Sequence, residues 1–272
     1  MKNIEAEITF IKKQSEKPYY DSSAITGLVP KLYFKVEKRK VKIFDARKIK
    51  KNKFEKSGFE ICNFKSRFDG KNLSNNLNEY KKEINNFLLN RFNYVESYIF
   101  DFTRRSNSKK GAENLDGRRQ PAERAHVDYT KSSGKKRAID IIGKKRFYEI
   151  TNSNLRIIQL NLWKPLCEVV LSSPLAFALS NTIAEKDLIA TDQRFPNRVG
   201  EIYHLAYNDK QKWYWVPEMR EDEILLLKGW DSYVKSNQAL NTPHTSFNLN
   251  NQNTNRHPRE SIEARIFLVL KK

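Results

Sequence analysis

The second half of the chain breaks into short apolar or alternating runs separated by turns: "FYEITN", "LRIIQLNLWKPL", "GEIYHLAYN", "KWYWVPEM", "EILLLKGWDSYV" and "SIEARIFLVL". Runs of this length, rich in β-branched and aromatic residues, read as strands. A parallel sheet needs a helical pattern between successive strands. Only one such stretch intervenes here, "PLAFALSNTIAEKDLI", which reads as a short helix. Many strands with few helices predict a mainly β, α+β chain folded as a sandwich or barrel.

The first half is more mixed. "EITFIK" and "KLYFKVEKRKVKIFDARK" alternate with period two, so Leu32, Phe34 and Val36 share a face, and "EKRK" reads as a turn before Val41 and Ile43. Leu73, Leu77, Tyr80, Ile84, Phe87, Leu88 and Phe92 then recur every three or four residues, as on one side of an amphipathic helix. "VESYIFDFT" returns to strand character, and residues 104–122 read as one long polar loop that leads to His126. The expected division is an N-terminal part, 1–94, packing on a β core, 95–272, with no internal repeat.

Composition narrows the setting. A chain of 272 residues with 39% hydrophobic residues can bury a sizeable core. No run approaches the length of a membrane span, and the charged N-terminus does not resemble a signal peptide. Cys62 and Cys167 form no CxxC pair and read as ordinary thiols, which places the protein in the cytoplasm. The net charge of +19 is spread along the chain beside abundant asparagine, so it reads as a solvated surface, and nucleic acid is not the expected partner.

The chain has only four histidines, and one of them, in "AERAHVDYT", precedes an aspartate by two positions. Residues i and i+2 of a strand point to one side, so His126 and Asp128 can converge on a common point. An imidazole and a carboxylate suit Fe(II), and a second histidine on the same side completes a set that leaves positions open. His204 lies in a strand pattern and reads as a packed side chain; His257 precedes a proline in an Asn-rich loop. His244, in "TPHTSF", is the candidate third ligand. Arg259 follows it in "PRESIEARIFLVL". A guanidinium there pairs bidentately with a carboxylate. Ser261 faces the same way, and Arg265, on that face too, is the rival anchor.

"HVD", "TPHT" and "RES" together resemble the Fe(II)- and 2-oxoglutarate-dependent oxygenases. "RRQPAERAHVDYT", "IIQLNLWKPL", "FPNRVGEIYHLAYNDKQKWYWVPEM" and "DEILLLKGWDS" bring the resemblance closer. They look like the group of the fungal gibberellin desaturase, the aspergillic acid hydroxylase and the cephamycin methoxylation-associated protein. The similarity runs from about residue 95 to the end.

This resemblance implies a double-stranded β-helix (jelly-roll, cupin-like) core with flanking helices. It also implies a metal triad of His126, Asp128 and His244, and 2-oxoglutarate and O2 as co-substrates. Arg259 with Ser261 matches the 2-oxoglutarate anchor. Asn161 is a further candidate for co-substrate contact, and Trp163, Tyr214 and Arg220 are candidates for the substrate pocket. Relatives often carry "NxWRP", whereas this chain has Lys164 in place of the arginine. The implied activity is hydroxylation, desaturation or cyclisation of a small specialised metabolite through C–H abstraction. The alternatives are an inactive jelly-roll binding protein and an anion or nucleic-acid binder using the basic surface. A zinc hydrolase is disfavoured because Arg259 would then lack a purpose.

Overall fold

The computed structural model describes residues 3–27, 29–49, 54–68, 73–114, 117–249 and 258–272. In chain order its first strands are β1 (Ile4–Ile11), β2 (Tyr19–Asp21), β3 (Lys31–Leu32), β4 (Val36–Asp45), β5 (Phe59–Asn63) and β6 (Glu96–Ser106). β7 (Ala112–Asn114), β8 (Gly117–Arg119), β9 (His126–Val127), β10 (Leu155–Pro165), β11 (Leu175–Ala178) and β12 (Leu188–Phe195) follow. The last are β13 (Arg198–Leu205), β14 (Trp213–Trp215), β15 (Glu223–Asp231), β16 (His244–Ser246) and β17 (Glu260–Lys271). The α-helices are α1 (Ser23–Thr26), α2 (Phe54–Ser57), α3 (Leu73–Phe92), α4 (Lys131–Ile142) and α5 (Lys144–Thr151).

The chain is mostly β. Ten strands form one sheet in the order β1-β4-β14-β11-β16-β9-β13-β12-β2-β3, and five form a second in the order β5-β15-β10-β17-β6. Strands from the first 63 residues enter both sheets: β4 pairs in parallel with β14, and β5 lines the edge of β15.

The five-stranded sheet explains where the core sits. Along β10 and β17 the even-numbered residues Ile158, Leu160, Leu162, Ile262, Ala264 and Ile266 pack against Tyr80, Ile84 and Leu88 of α3. The odd-numbered side faces inward. Trp163, Leu225 and Leu227 meet Phe177 of the larger sheet there, while Ile157, Phe267 and Val269 are closed over by Ala138, Phe147 and Ile150 of α4 and α5. Period-two alternation therefore buries both faces, one under a helix and one between layers.

Four local expectations are corrected. "FYEITN" lies in α5, not a strand. Thr130 accepts from the Ser133 amide and starts α4 with a capping box, Gly143 at φ +89° ends it, and α5 begins anew at Lys144 with Phe147 and Ile150 buried. "PLAFALSNTIAEKDLI" is strand β11 followed by two 3-10 turns, because Ala176, Phe177 and Ala178 pair on both sides with β14 and β16. "EKRK" makes no turn and lies within the continuous strand β4, held in register by β1. The stretch from 104 to 122 is not a single loop: β6 runs on to Ser106, and β7 and β8 form a small hairpin. The expected helix from Leu73 is α3, although the side chain of Leu73 and the whole of His257 lie outside the described residues. Among the described residues no helix is long and apolar enough to cross a membrane.

Candidate metal and co-substrate site

Three histidines stand in one row across the larger sheet. β9 is only two residues long, yet His126 pairs with His204 of β13 on one side and with His244 of β16 on the other. The start of α4 ends β9 at once and turns Asp128 back beside His126. Glu201 of β13 locks that turn by accepting from Thr130 and Ser132.

Ligand atoms of His126, Asp128 and His244 all lie within 4.8 Å of one another. Each ring is oriented by its other nitrogen. A carbonyl can only accept, so His126 Nδ1 donates to Arg124 O at 2.7 Å and His244 Nδ1 donates to Thr242 O at 3.1 Å. Both Nε2 atoms are then lone-pair donors, as a metal requires. Burial lowers the His244 pKa to about 4, which keeps the ring neutral, and Asp128 is held well below its ordinary range, with Arg265 the main charge opposing its burial. Two imidazoles and one carboxylate on one side of a cavity fit an Fe(II) ion with open positions.

His204 is not part of this set. Its ring is buried between Tyr20 and Phe34, at centroid distances of 5.6 Å and 5.0 Å.

Asp128 has its own support. Its Oδ2 accepts from Asn161 Nδ2 at 2.7 Å and from Arg265 Nε at 3.0 Å. Asn161 in turn accepts from Gln159 at 2.7 Å. Arg265 also meets Asp101 at 2.5 Å and Glu263 at 2.7 Å, so three carboxylates surround one guanidinium.

Arg259 is in the opposite condition. It is 1% exposed, its Nη1 donates to Ser173 O at 2.8 Å, and its Nε has no partner among the described residues. Its guanidinium lies 5.7 Å from the Trp163 ring, and burial lowers its pKa to about 9. Arg259, Trp163, His126, Asp128 and His244 line one cavity together with Arg105, Glu263, Arg265, Ala122 and Leu175. A buried cation with an unused donor, facing a metal-type donor set, is suited to an anionic ligand.

The other sequence candidates fall in varied places. Ser261 is buried on the inward face of β17, opposite Pro165 and Arg105. Tyr214 stacks against Phe44 and Phe59, at 5.7 Å and 5.9 Å, away from this cavity. Arg220 is exposed and lies 4.0 Å from Glu168. Lys164, on the α3 side of β10, donates to Glu221 O at 2.6 Å and to Pro165 O at 3.1 Å. Two charged cavity residues, Glu263 and Arg105, were not among the sequence candidates. Glu263 shares the period-two face of Ser261 and Arg265, so its signal was present in "RESIEAR". Arg105 sits on β6 where the sequence reads as loop.

The family model described as "Oxidoreductase/YMDC permease-like domain" matches residues 8–269. The chain is 31% identical over 166 residues to the Fe(II)/2-oxoglutarate-dependent dioxygenase nvfI of Aspergillus novofumigatus, covering 60% of this chain and 56% of that protein. It is 31% identical over 157 residues to the alpha-ketoglutarate-dependent dioxygenase tstK of Talaromyces stipitatus, covering 53% of that protein. In both cases it spans about half of the relative's length. The alpha-ketoglutarate-dependent dioxygenase phiK of a fungal species aligns more fully, over 85% of this chain and 84% of its own, at 26% identity. Among solved structures, the iron and alpha-ketoglutarate-dependent endoperoxidase NvfI superposes with a TM-score of 0.84, covering 99% of both chains at 23% identity. The chain belongs to the family that this model describes, and its kin are Fe(II)- and 2-oxoglutarate-dependent oxygenases.

Proposed function

We propose that this protein is a non-haem Fe(II)- and 2-oxoglutarate-dependent oxygenase acting on a small specialised metabolite. The observation that carries the reading is the convergence of His126, Asp128 and His244, with both Nδ1 atoms committed to carbonyls, on the cavity that also holds the half-satisfied Arg259. In this reading the two facing sheets are the two halves of a double-stranded β-helix, and the first 94 residues are an extension woven onto its edges.

His126, Asp128 and His244 hold Fe(II); Arg259 and Ser261 hold the far carboxylate of 2-oxoglutarate. The bound iron and co-substrate supply O2 activation for C–H oxidation. The protein's own residues supply orientation. Asn161 and Arg265 fix the Asp128 carboxylate, the carbonyls of Arg124 and Thr242 fix the rings, and Trp163 and Leu175 wall the cavity with apolar surface. Hydroxylation, desaturation and cyclisation all fall within this reading, since they differ in how the substrate sits over the same ligand set.

An anaerobic titration tests it. Addition of Fe(II) and then 2-oxoglutarate should give a weak visible charge-transfer band that neither gives alone. The band should vanish in His126→Ala and require more 2-oxoglutarate in Arg259→Gln. A folded protein that shows no band with both additions would overturn the reading.

A further inference from the structure

The cavity holds three arginines with very different surroundings. Arg265, at the Asp128 end, meets Asp101, Asp128 and Glu263. Neither Arg259 nor Arg105 has a carboxylate within ion-pair distance among the described residues. Arg105 Nη1 donates to the carbonyl of Gln120 at 2.8 Å, and Arg259 Nη1 donates to that of Ser173, also at 2.8 Å. The β6–β17 register places Arg105 directly opposite Ser261, and Arg259 lies two residues before Ser261, just ahead of β17. Directly opposed residues of an antiparallel pair share a face. Two guanidiniums that line the cavity therefore lie beside one buried serine.

Placing two cations side by side in a poorly solvated pocket is unfavourable without an anion. The electrostatics show the tension. Burial is the main cause in both, lowering Arg105 to about 10 and Arg259 to about 9, and for Arg259 the next cause is Arg105 itself. The ion pairs of the two carboxylates that line the cavity, Asp128 and Glu263, both go to Arg265, and Glu263 only partly offsets the charge of Arg105 and Arg259 from a distance, which leaves room for an anionic ligand between them.

We infer that Arg105 is a second arm of the anion anchor, so that the far carboxylate of the co-substrate is gripped between Arg105 and Arg259 beside Ser261. This rests on the reading of the site proposed above. It makes the anchor a two-cation clamp with contributions from β6 and β17, and it gives the end of β6 a binding role. A carboxylate has lone pairs for two guanidinium forks, and each charge-assisted contact sharpens selection for a dicarboxylate.

The test is a cycle between protein and ligand. Binding of 2-oxoglutarate and of 2-oxobutanoate, which lacks the far carboxylate, is measured by anaerobic calorimetry on the Mn(II)-loaded protein. The proteins are wild type, Arg105→Gln, Arg105→Lys and Arg259→Gln. Arg105→Gln should raise the Kd for 2-oxoglutarate about tenfold or more while changing that for 2-oxobutanoate by less than about twofold. Arg105→Lys, which keeps the charge and loses the fork, should fall between and guards against a misfolded glutamine variant. Equal losses for both ligands, or no loss for either, would overturn the inference. If Arg259→Gln discriminates between the ligands and the Arg105 variants do not, only the second arm fails. If Arg259→Gln shows no discrimination either, the reading of the whole site fails.

Discussion

Arg265 Nε lies 3.0 Å from Asp128 Oδ2, and this contact separates the two arginines that the sequence leaves as rivals. Arg265 already carries three carboxylate contacts, whereas Arg259 carries none among the described residues. Arg265 is thus placed to hold the carboxylate of a candidate metal ligand, and Arg259 is left with a donor that an anion could take. Arg265→Gln is expected to weaken Mn(II) binding by about 10- to 100-fold, as loss of a partner behind a metal ligand commonly does. It should leave the preference for 2-oxoglutarate over 2-oxobutanoate intact. Metal calorimetry on the two arginine variants checks both halves; a lost ligand preference with normal metal affinity would reverse the assignment.

Asn161 should behave as a weaker version of Arg265. Its amide donates to the same Asp128 oxygen and is itself held by Gln159. Asn161→Leu removes that donor and frees the Gln159 amide, so metal affinity is expected to fall about tenfold. Gln159→Leu, one residue further from the metal, should cost less. A Gln159 effect larger than that of Asn161 would show that the pair does not act as a relay toward Asp128.

Gly58 bears on His244 from a distance. Its φ is +85°, and a Cβ there would collide with Thr242 Oγ1. Thr242 Oγ1 donates to Gly58 O at 2.6 Å, and Thr242 O is the acceptor that orients His244. Gly58→Ala therefore combines an unfavourable backbone with a steric clash and is expected to destabilise the fold by about 1–3 kcal/mol in urea unfolding. Metal affinity should drop alongside. Stability lost with metal affinity untouched would show that the carbonyl of Thr242 does not set the ring.

His204 gives a pH dependence of known sign. Burial, with Arg124 next, holds its pKa well below 6.5. In the unfolded chain the ring takes up a proton near 6.5, so the unfolded state binds more protons below that pH. The stabilisation from a neutral His204 is complete above pH 6.5 and is lost as the pH falls, with a slope of up to about 1.4 kcal/mol per unit. His204→Phe keeps the ring stack and removes the proton. Its metal-free form should lose less stability than wild type between pH 7 and 5, and groups that titrate in both proteins cancel. Parallel curves would mean that the buried ring is solvated in solution.

Much of the site was legible because its residues follow simple periods. His126 and Asp128 two apart, and Arg259, Ser261 and Arg265 at odd positions at and just before one strand, suggest a shared side before any fold is known. The mostly β layout was legible for the same reason. α4 was not: "KKRAIDIIGKK" has few large apolar residues, and its start depends on the Thr130–Ser133 cap. β11 was misread because the apolar run in "LAFAL" fits a strand or a helix until its neighbours on both sides are known. Arg105 escaped because the polar sequence around it reads as loop, whereas the pairing that makes it strand belongs to β17.

The alternation along β17 has an evolutionary corollary. Arg259, Glu263 and Arg265 line the cavity and Ser261 shares their inward face, while Ile262, Ala264 and Ile266 lie under α3. Substitution at any one of these positions changes one contact. Insertion or deletion of a single residue between them exchanges the two sets at once, sending charges beneath the helix and aliphatics toward His126, Asp128 and His244. Length within this segment is therefore under stricter selection than identity. A lineage that diversifies its chemistry should vary the loops and side chains around this strand while leaving its residue count untouched.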